Sequence, residues 1–222
     1  MSQANKVEGV LFDLDGTLLD TADDLGAALN HVLAQHQRPL TEARQYRPVA
    51  SDGALGLLKM GFGNALPQDT APLRQALLDH YAANIARHTR LFDGMSQVLA
   101  HLDAQQIPWG IITNKPAFLT DALVPQFDEL STARVVLSGD SLAQRKPDPM
   151  PLLHAAEVMN IAPAATLYVG DAPRDIEATH RAGMISVAAA YGFLHDPTDA
   201  HQWGAHHVID RADALLALLP SI

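Results

Sequence analysis

A short apolar run, Val7–Phe12, stops abruptly at Asp13-Leu14-Asp15-Gly16, and this pairing of apolar strand with polar ending recurs along the chain. Trp109–Thr113, Val135–Leu137, Leu167–Gly170, Ser186–Ala190 and His207–Ile209 read as further short strands. Between them Met95–Gln105, Phe118–Val124, Pro151–Met159, Ile176–Ala182 and Ala212–Leu219 carry helical spacing. Alternation of this kind predicts an α/β fold: a Rossmann-like parallel sheet covered by helices on both faces.

One stretch breaks the alternation. From Thr21 to His88 the pattern is helical throughout, and no strand interrupts it. Thr21 with Asp24 predicts a capping box, with Leu25, Leu29, Val32 and Leu33 on one face. A second helix is expected from about Ser51, with Leu55 and Leu58 on one face. A third is expected from Pro72, with Leu73, Leu77, Tyr81 and Ile85 inward. The segment reads as an all-helical insertion after the first strand, giving a core of residues 1–17 and 91–222 and an inserted domain of 18–90.

Polar residues fall where a sheet of this kind binds ligands. Asp13 and Asp15 follow the first strand, Thr113 and Asn114 the second, and Asp171 and Asp175 the fourth. Lys146 lies on the long connection after the third. Each cluster alone reads as a turn or helix cap, but a common position at strand ends brings all four to one spot. Four converging carboxylates repel one another unless cations neutralise them. Lys146 supplies one positive charge, and a hard divalent ion with oxygen ligands, Mg²⁺, would supply two more. Thr113, Asn114 and the start of a following helix offer donors for an anion, a set of parts suited to phosphoryl transfer.

Composition removes other classes. Fifteen Lys and Arg against 25 Asp and Glu leave a net charge of −10, which argues against nucleic acid and anionic membrane as partners. There is no cysteine, so disulfides and thiolate chemistry are excluded and a cytoplasmic location is expected. Met1–Glu8 is polar, which does not resemble a signal peptide, and no later apolar run is long enough to span a bilayer. His195, His201, His206 and His207 cluster near the C-terminus with a spacing that fits no familiar metal motif.

The motifs Asp13-Leu14-Asp15-Gly16-Thr17, Thr113-Asn114, Lys146-Pro147-Asp148-Pro149 and Gly170-Asp171-Ala172-Pro173-Arg174-Asp175 resemble, in order, the four signatures of the haloacid dehalogenase superfamily. The likeness covers nearly the whole chain and is greatest to the phosphoglycolate phosphatase-type members. It implies that Asp13 is a nucleophile that takes up the phosphoryl group, and that Asp15 is the acid and base. Thr113 and Lys146 would hold phosphoryl oxygens. Mg²⁺ would lie on Asp13, the Asp15 carbonyl and Asp171, with Asp175 as a further ligand or their neighbour. Gly16, Thr17 and Asn114 would line the phosphate. The insertion corresponds to a mobile cap, where Arg47 and Ser51, in the loop-like stretch Arg47–Gly53, are the candidates for substrate recognition.

An acid at Asp15 favours ester cleavage over dehalogenation, because a halide needs no proton to leave. The expected reaction is Mg²⁺-dependent hydrolysis of a small phosphorylated metabolite such as phosphoglycolate, by a monomer or homodimer. A sugar-phosphate phosphatase, for example for N-acetylmuramic acid 6-phosphate, is the alternative. A phosphonoacetaldehyde hydrolase using Lys59, a mutase and a non-catalytic binding protein complete the field.

Overall fold

The computed structural model describes residues 7–219; the outermost residues of the expected core, 1–6 and 220–222, lie outside the described residues. Among the described residues, β1 (Gly9–Phe12), β2 (Leu19–Asp20), α1 (Ala22–Gln35), α2 (Ala43–Tyr46), α3 (Gly53–Phe62), α4 (Ala71–Ala83) and β3 (Arg90–Leu91) come first. They are followed by α5 (Met95–Ala104), β4 (Trp109–Ile112), α6 (Ala117–Leu123), β5 (Val135–Leu137), α7 (Met150–Met159), β6 (Thr166–Gly170), α8 (Pro173–Ala182), β7 (Ile185–Ala189) and β8 (His207–Ile209).

Six strands form one parallel sheet in the order β5-β4-β1-β6-β7-β8. Counting only these strands along the chain, the order is 3-2-1-4-5-6, that of a doubly wound dinucleotide-type sheet. β1, β4 and β6 are buried at every position, as continuous apolar runs covered on both faces require. On one face α5 and the C-terminal segment pack on Val10, Phe12, Trp109, Ile111 and Val169. On the other, α7 and α8 cover Leu11, Ile112 and Tyr168. Trp109 meets Phe12 edge-on at 6.1 Å and donates its indole N–H to Asp103, so it is a packing residue.

Between β2 and β3 the helices build a core of their own from Leu29, Leu33, Leu57, Leu77 and Tyr81. β2 and β3 pair antiparallel, Leu19 with Leu91 and Asp20 with Arg90, where the chain leaves and rejoins the sheet layer. The sequence gives no sign of these strands, since two residues are too few to show a period.

Several local expectations need correction. The capping box at Thr21 does not form: Thr21 makes no side-chain cap bond, and its hydroxyl donates to Asp15 Oδ1 at 2.6 Å. Asp24 instead accepts from the His88 N–H at 3.0 Å and from the Thr89 N–H at 3.0 Å and hydroxyl at 2.7 Å. A buried carboxylate gains more from three donors at the far end of the insertion than from one helix-end N–H. The Arg47–Gly53 loop is largely a 3-10 turn, Arg47–Asp52, opened by Pro48 in its first turn, and α3 begins after it. On α3 Leu57 and Leu58 are buried and Leu55 is 40% exposed, so the inward face lies one residue round from the expected one. Ile85 falls beyond the end of α4 and is half-buried. The last expected helix is also 3-10, over Ala212–Leu218. Ala212 and Leu215, three residues apart as this tighter helix spaces one face, are buried in the core, and Leu219 is buried just past its end. No helix is long and apolar enough to cross a membrane among the described residues.

Candidate active site

The chain reverses its direction of travel across the sheet between β1 and β6, and the carboxylates lie just past the C-terminal ends of those two strands. Asp13 follows β1. Its Oδ1 accepts from the Leu14 N–H at 2.8 Å and from Lys146 Nζ at 2.9 Å. Oδ2 has no hydrogen-bond partner among the described residues.

Lys146 is wholly buried and saturated. Its ammonium also reaches Asp175 Oδ1 at 2.8 Å, the Ile112 carbonyl at 2.7 Å and Tyr168 Oη at 2.6 Å. Its charge therefore balances the carboxylates on either side. Asn114 positions it by donating to the Lys146 carbonyl at 2.8 Å. Thr113 Oγ1 accepts the Lys115 N–H at 3.1 Å, which leaves its own proton to give to an anion.

Asp175, in the first turn of α8, accepts the Ala172 N–H at 3.1 Å. Asp171 Oδ2 accepts from Ser51 Oγ at 2.7 Å and the Phe193 N–H at 2.9 Å. Its Oδ1 is buried without a partner among the described residues. Gly16 holds φ at +83°, and a Cβ there would collide with Asp171 Oδ2. Only glycine gives both that turn and that approach. The Thr17 hydroxyl is also buried without a partner among the described residues.

One carboxylate oxygen from each of Asp13, Asp171 and Asp175 lies within 4.8 Å of the other two. Burial, reinforced by the Asp175 charge, pushes the Asp13 carboxyl up to about 6 against the pull of Lys146. Burial and then the charges of Asp13 and Asp175 push Asp171 up to about 8. Burial opposes the Arg174 charge, but the neighbouring carboxylates raise its pKa above the usual value. The protein's own cations leave these acids short of positive charge. An orphaned Asp171 oxygen and an all-oxygen donor set fit a hard divalent ion. A cavity of about 300 Å³ lies against Asp171, bounded in part by Ser51, Asp52, Phe193 and Trp203.

The Asp15 carboxylate is not part of this group. Its Oδ1 accepts from Lys115 Nζ at 2.8 Å and from Thr21. Arg47 is engaged elsewhere, by Asp20 at 2.8 Å and Asp23 at 3.3 Å. Lys59 is exposed. Among the histidines, His206 is tied to Ser186 at a strand edge, as an ordinary hydrogen-bonding residue.

Sequence reasoning missed Lys115, Tyr81, Tyr168 and Arg174. A signal existed for Lys115, which directly follows Thr113-Asn114 at a strand end. Tyr81 and Tyr168 read as apolar-face residues, and only folding brings their hydroxyls to the lysines.

A model of the haloacid dehalogenase-like hydrolase family matches residues 10–189. Phosphoglycolate phosphatase of Xanthomonas campestris pv. campestris is 39% identical over 206 residues, 93% of each chain. N-acetylmuramic acid 6-phosphate phosphatase of Pseudomonas aeruginosa is 35% identical over 215 residues, 96% of this chain and 95% of its own. A crystal structure of a predicted phosphoglycolate phosphatase from Haemophilus somnus superposes with a TM-score of 0.85, covering 97% of this chain and 99% of that one at 24% identity. A sheet that gathers four polar clusters around Asp13, and a family match spanning from β1 to β7, lead to one assignment: the chain belongs to the haloacid dehalogenase-like hydrolases.

Proposed function

We propose that the protein is a Mg²⁺-dependent phosphatase that cleaves a small phosphate monoester through an aspartyl-phosphate on Asp13, with 2-phosphoglycolate as the favoured substrate. The observation that carries this reading is the pair Asp13 and Asp15. Lys146 and a backbone N–H hold one Asp13 oxygen and leave the other free, and a second carboxylate stands two residues on with a separate set of partners.

Asp13 Oδ2 attacks phosphorus, the ester P–O bond breaks, and the phosphoryl group passes to Asp13. Asp15 gives a proton to the departing alkoxide, then takes one from the water that hydrolyses the acyl-phosphate. Thr113 donates to a phosphoryl oxygen, while Lys146 keeps Asp13 oriented and its charge balanced. Asp13, Asp171 and the Asp15 carbonyl would hold Mg²⁺, with Asp175 behind them; the ion supplies charge neutralisation for the phosphoryl oxygens. Residues 18–90 are proposed to act as a cap, with Ser51 and Arg174 as its contacts to the core. A cytoplasmic location and a monomeric or homodimeric state belong to the same reading.

The Pseudomonas relative supports N-acetylmuramic acid 6-phosphate as a second substrate reading. Purified protein should release phosphate from one of these two acids in the presence of Mg²⁺, and lose activity to chelator. Asp13→Asn, nearly isosteric but unable to form the acyl-phosphate, should lower kcat by about 10⁴-fold or more with the fold intact. Appreciable turnover by that variant, or full activity in excess chelator, would overturn the mechanism.

A further inference from the structure

Lys115 is a buried lysine that the steps above do not use. Its Nζ touches Asp15 Oδ1 at 2.8 Å and Tyr81 Oη at 3.1 Å, with its side chain 5% exposed. Burial works against its charge, yet Asp15 and Tyr81 raise its pKa above the ordinary lysine value. Tyr81 comes from α4 of the insertion and is fully buried; burial pushes its hydroxyl up to about 12, so it remains a neutral phenol.

The donors do not add up to a closed network. An ammonium has three N–H groups, and among the described residues two of them have acceptors. Tyr81 accepts from Lys115, and its own proton has no acceptor among the described residues. Two unassigned donors thus stand 3.1 Å apart, one on the core and one on the insertion. Buried donors without acceptors are costly, so a site that keeps two side by side is built for an acceptor from outside. A carboxylate, with two oxygens and one negative charge, matches an ammonium beside a phenol.

Position says which carboxylate. An acid works within about 2.6–3.2 Å of the leaving oxygen, so Lys115, which holds the other oxygen of the Asp15 carboxyl, lies within about 8 Å of that leaving oxygen. A carboxylate one methylene from the ester oxygen is short enough to span that distance. The competing cations are committed: Lys146 to Asp13 and Asp175, Arg47 to Asp20 and Asp23, Arg174 to the Ser51 carbonyl and the metal-side carboxylates.

We propose that Lys115 and Tyr81 form a carboxylate receptor that selects phosphate esters bearing an acid group next to the ester oxygen. The proposal rests on the phosphoglycolate reading above. It makes Lys115 and Tyr81 specificity-determining residues, one from each side of the seam, so that the acidic end of the substrate helps to draw the insertion onto the core.

The test compares 2-phosphoglycolate with 2-hydroxyethyl phosphate, which differ only in carboxylate against hydroxymethyl, with kcat and KM measured separately. Wild type should prefer the acid. Lys115→Met should lower the ratio of the two kcat/KM values by about 10- to 100-fold, chiefly through KM for the acid. Any loss caused by a misplaced Asp15 falls on both substrates and cancels in the ratio. Tyr81→Phe should lower the ratio less, and Lys115→Arg should restore part of it. Lys115→Gln, which keeps a donor without the charge, replaces Lys115→Met should that variant not fold by circular dichroism. A wild-type ratio near one would overturn the phosphoglycolate reading itself. A large wild-type ratio that persists in Lys115→Met or Lys115→Gln would overturn the receptor and leave that reading standing.

Discussion

Asp13 and Asp171 lie where burial and mutual repulsion hold protons on carboxyl groups, at about 6 and about 8. In the unfolded chain both would titrate near about 4. The folded state therefore binds more protons between about pH 4 and about pH 8, and its stability falls as pH rises through that window. With chelator present, Tm should decline from about pH 5 to about pH 8, and Asp171→Asn should flatten the upper part of the decline. Mg²⁺ should raise Tm most at the alkaline end, because the carboxylates must lose their protons to bind it. A chelated protein whose Tm is level or rises over this range would show that these carboxyls are ionised in the fold without a cation. The same crowding explains why Lys146 is spent on protein partners: with a carboxylate on either side of it, orientation of Asp13 depends on that charge staying in place.

At the scale of elements, α1 is held at its first turn by a carboxylate that does not cap it. Asp24 ties this turn to His88 and Thr89, just before β3, and so fixes where the insertion begins relative to where it ends. Asp24→Ala leaves two backbone N–H groups and a hydroxyl short of an acceptor in a partly buried place. The expected loss is about 2–4 kcal/mol of stability, read from denaturant unfolding. A loss under about 0.5 kcal/mol would mean that water replaces the carboxylate at little cost. The β2–β3 ladder is too short to hold the junction by its own hydrogen bonds, so this side-chain tie carries much of its definition.

For the whole molecule, charged side chains tie the insertion together near its junction with the core. Arg47 bridges Asp20 of β2 and Asp23 of α1 and lies over the Phe193 ring at 5.7 Å, with its side chain 34% exposed. A partly exposed pair of this kind contributes about 1 kcal/mol or less. Arg47→Ala should therefore lower catalytic efficiency on acidic and neutral phosphate esters alike, by factors that agree within about threefold. A selective rise in KM for the acidic ester would return Arg47 to substrate recognition and take that role from Lys115. The seam is also closed by Ser51 on Asp171 and Arg174 on the Ser51 carbonyl, so the insertion touches one of the clustered carboxylates directly.

The strands and core helices were legible in the sequence because a buried parallel sheet demands unbroken apolar runs and amphipathic covers, and β1, β4, β5 and β6 fall within a residue or two of where those runs end. The polar clusters were legible because they share one position: each alone could serve as a turn or cap, but all fall just past strand ends, where an open α/β sheet binds ligands. Tertiary structure decided everything that depends on partners distant along the chain. Thr21 and Asp24 satisfy a local capping rule and still abandon it, because Asp15, His88 and Thr89 offer better bonds once the fold brings them near. Arg47 reads as a free cation until Asp20 and Asp23 are placed beside it, and Tyr81 reads as core until Lys115 arrives at its hydroxyl. Hydrophobic periodicity is a property of neighbours in sequence, so sequence alone fixed the layers and the strand ends. Hydrogen bonds and ion pairs go to the best partner in space, and only the folded chain chose those.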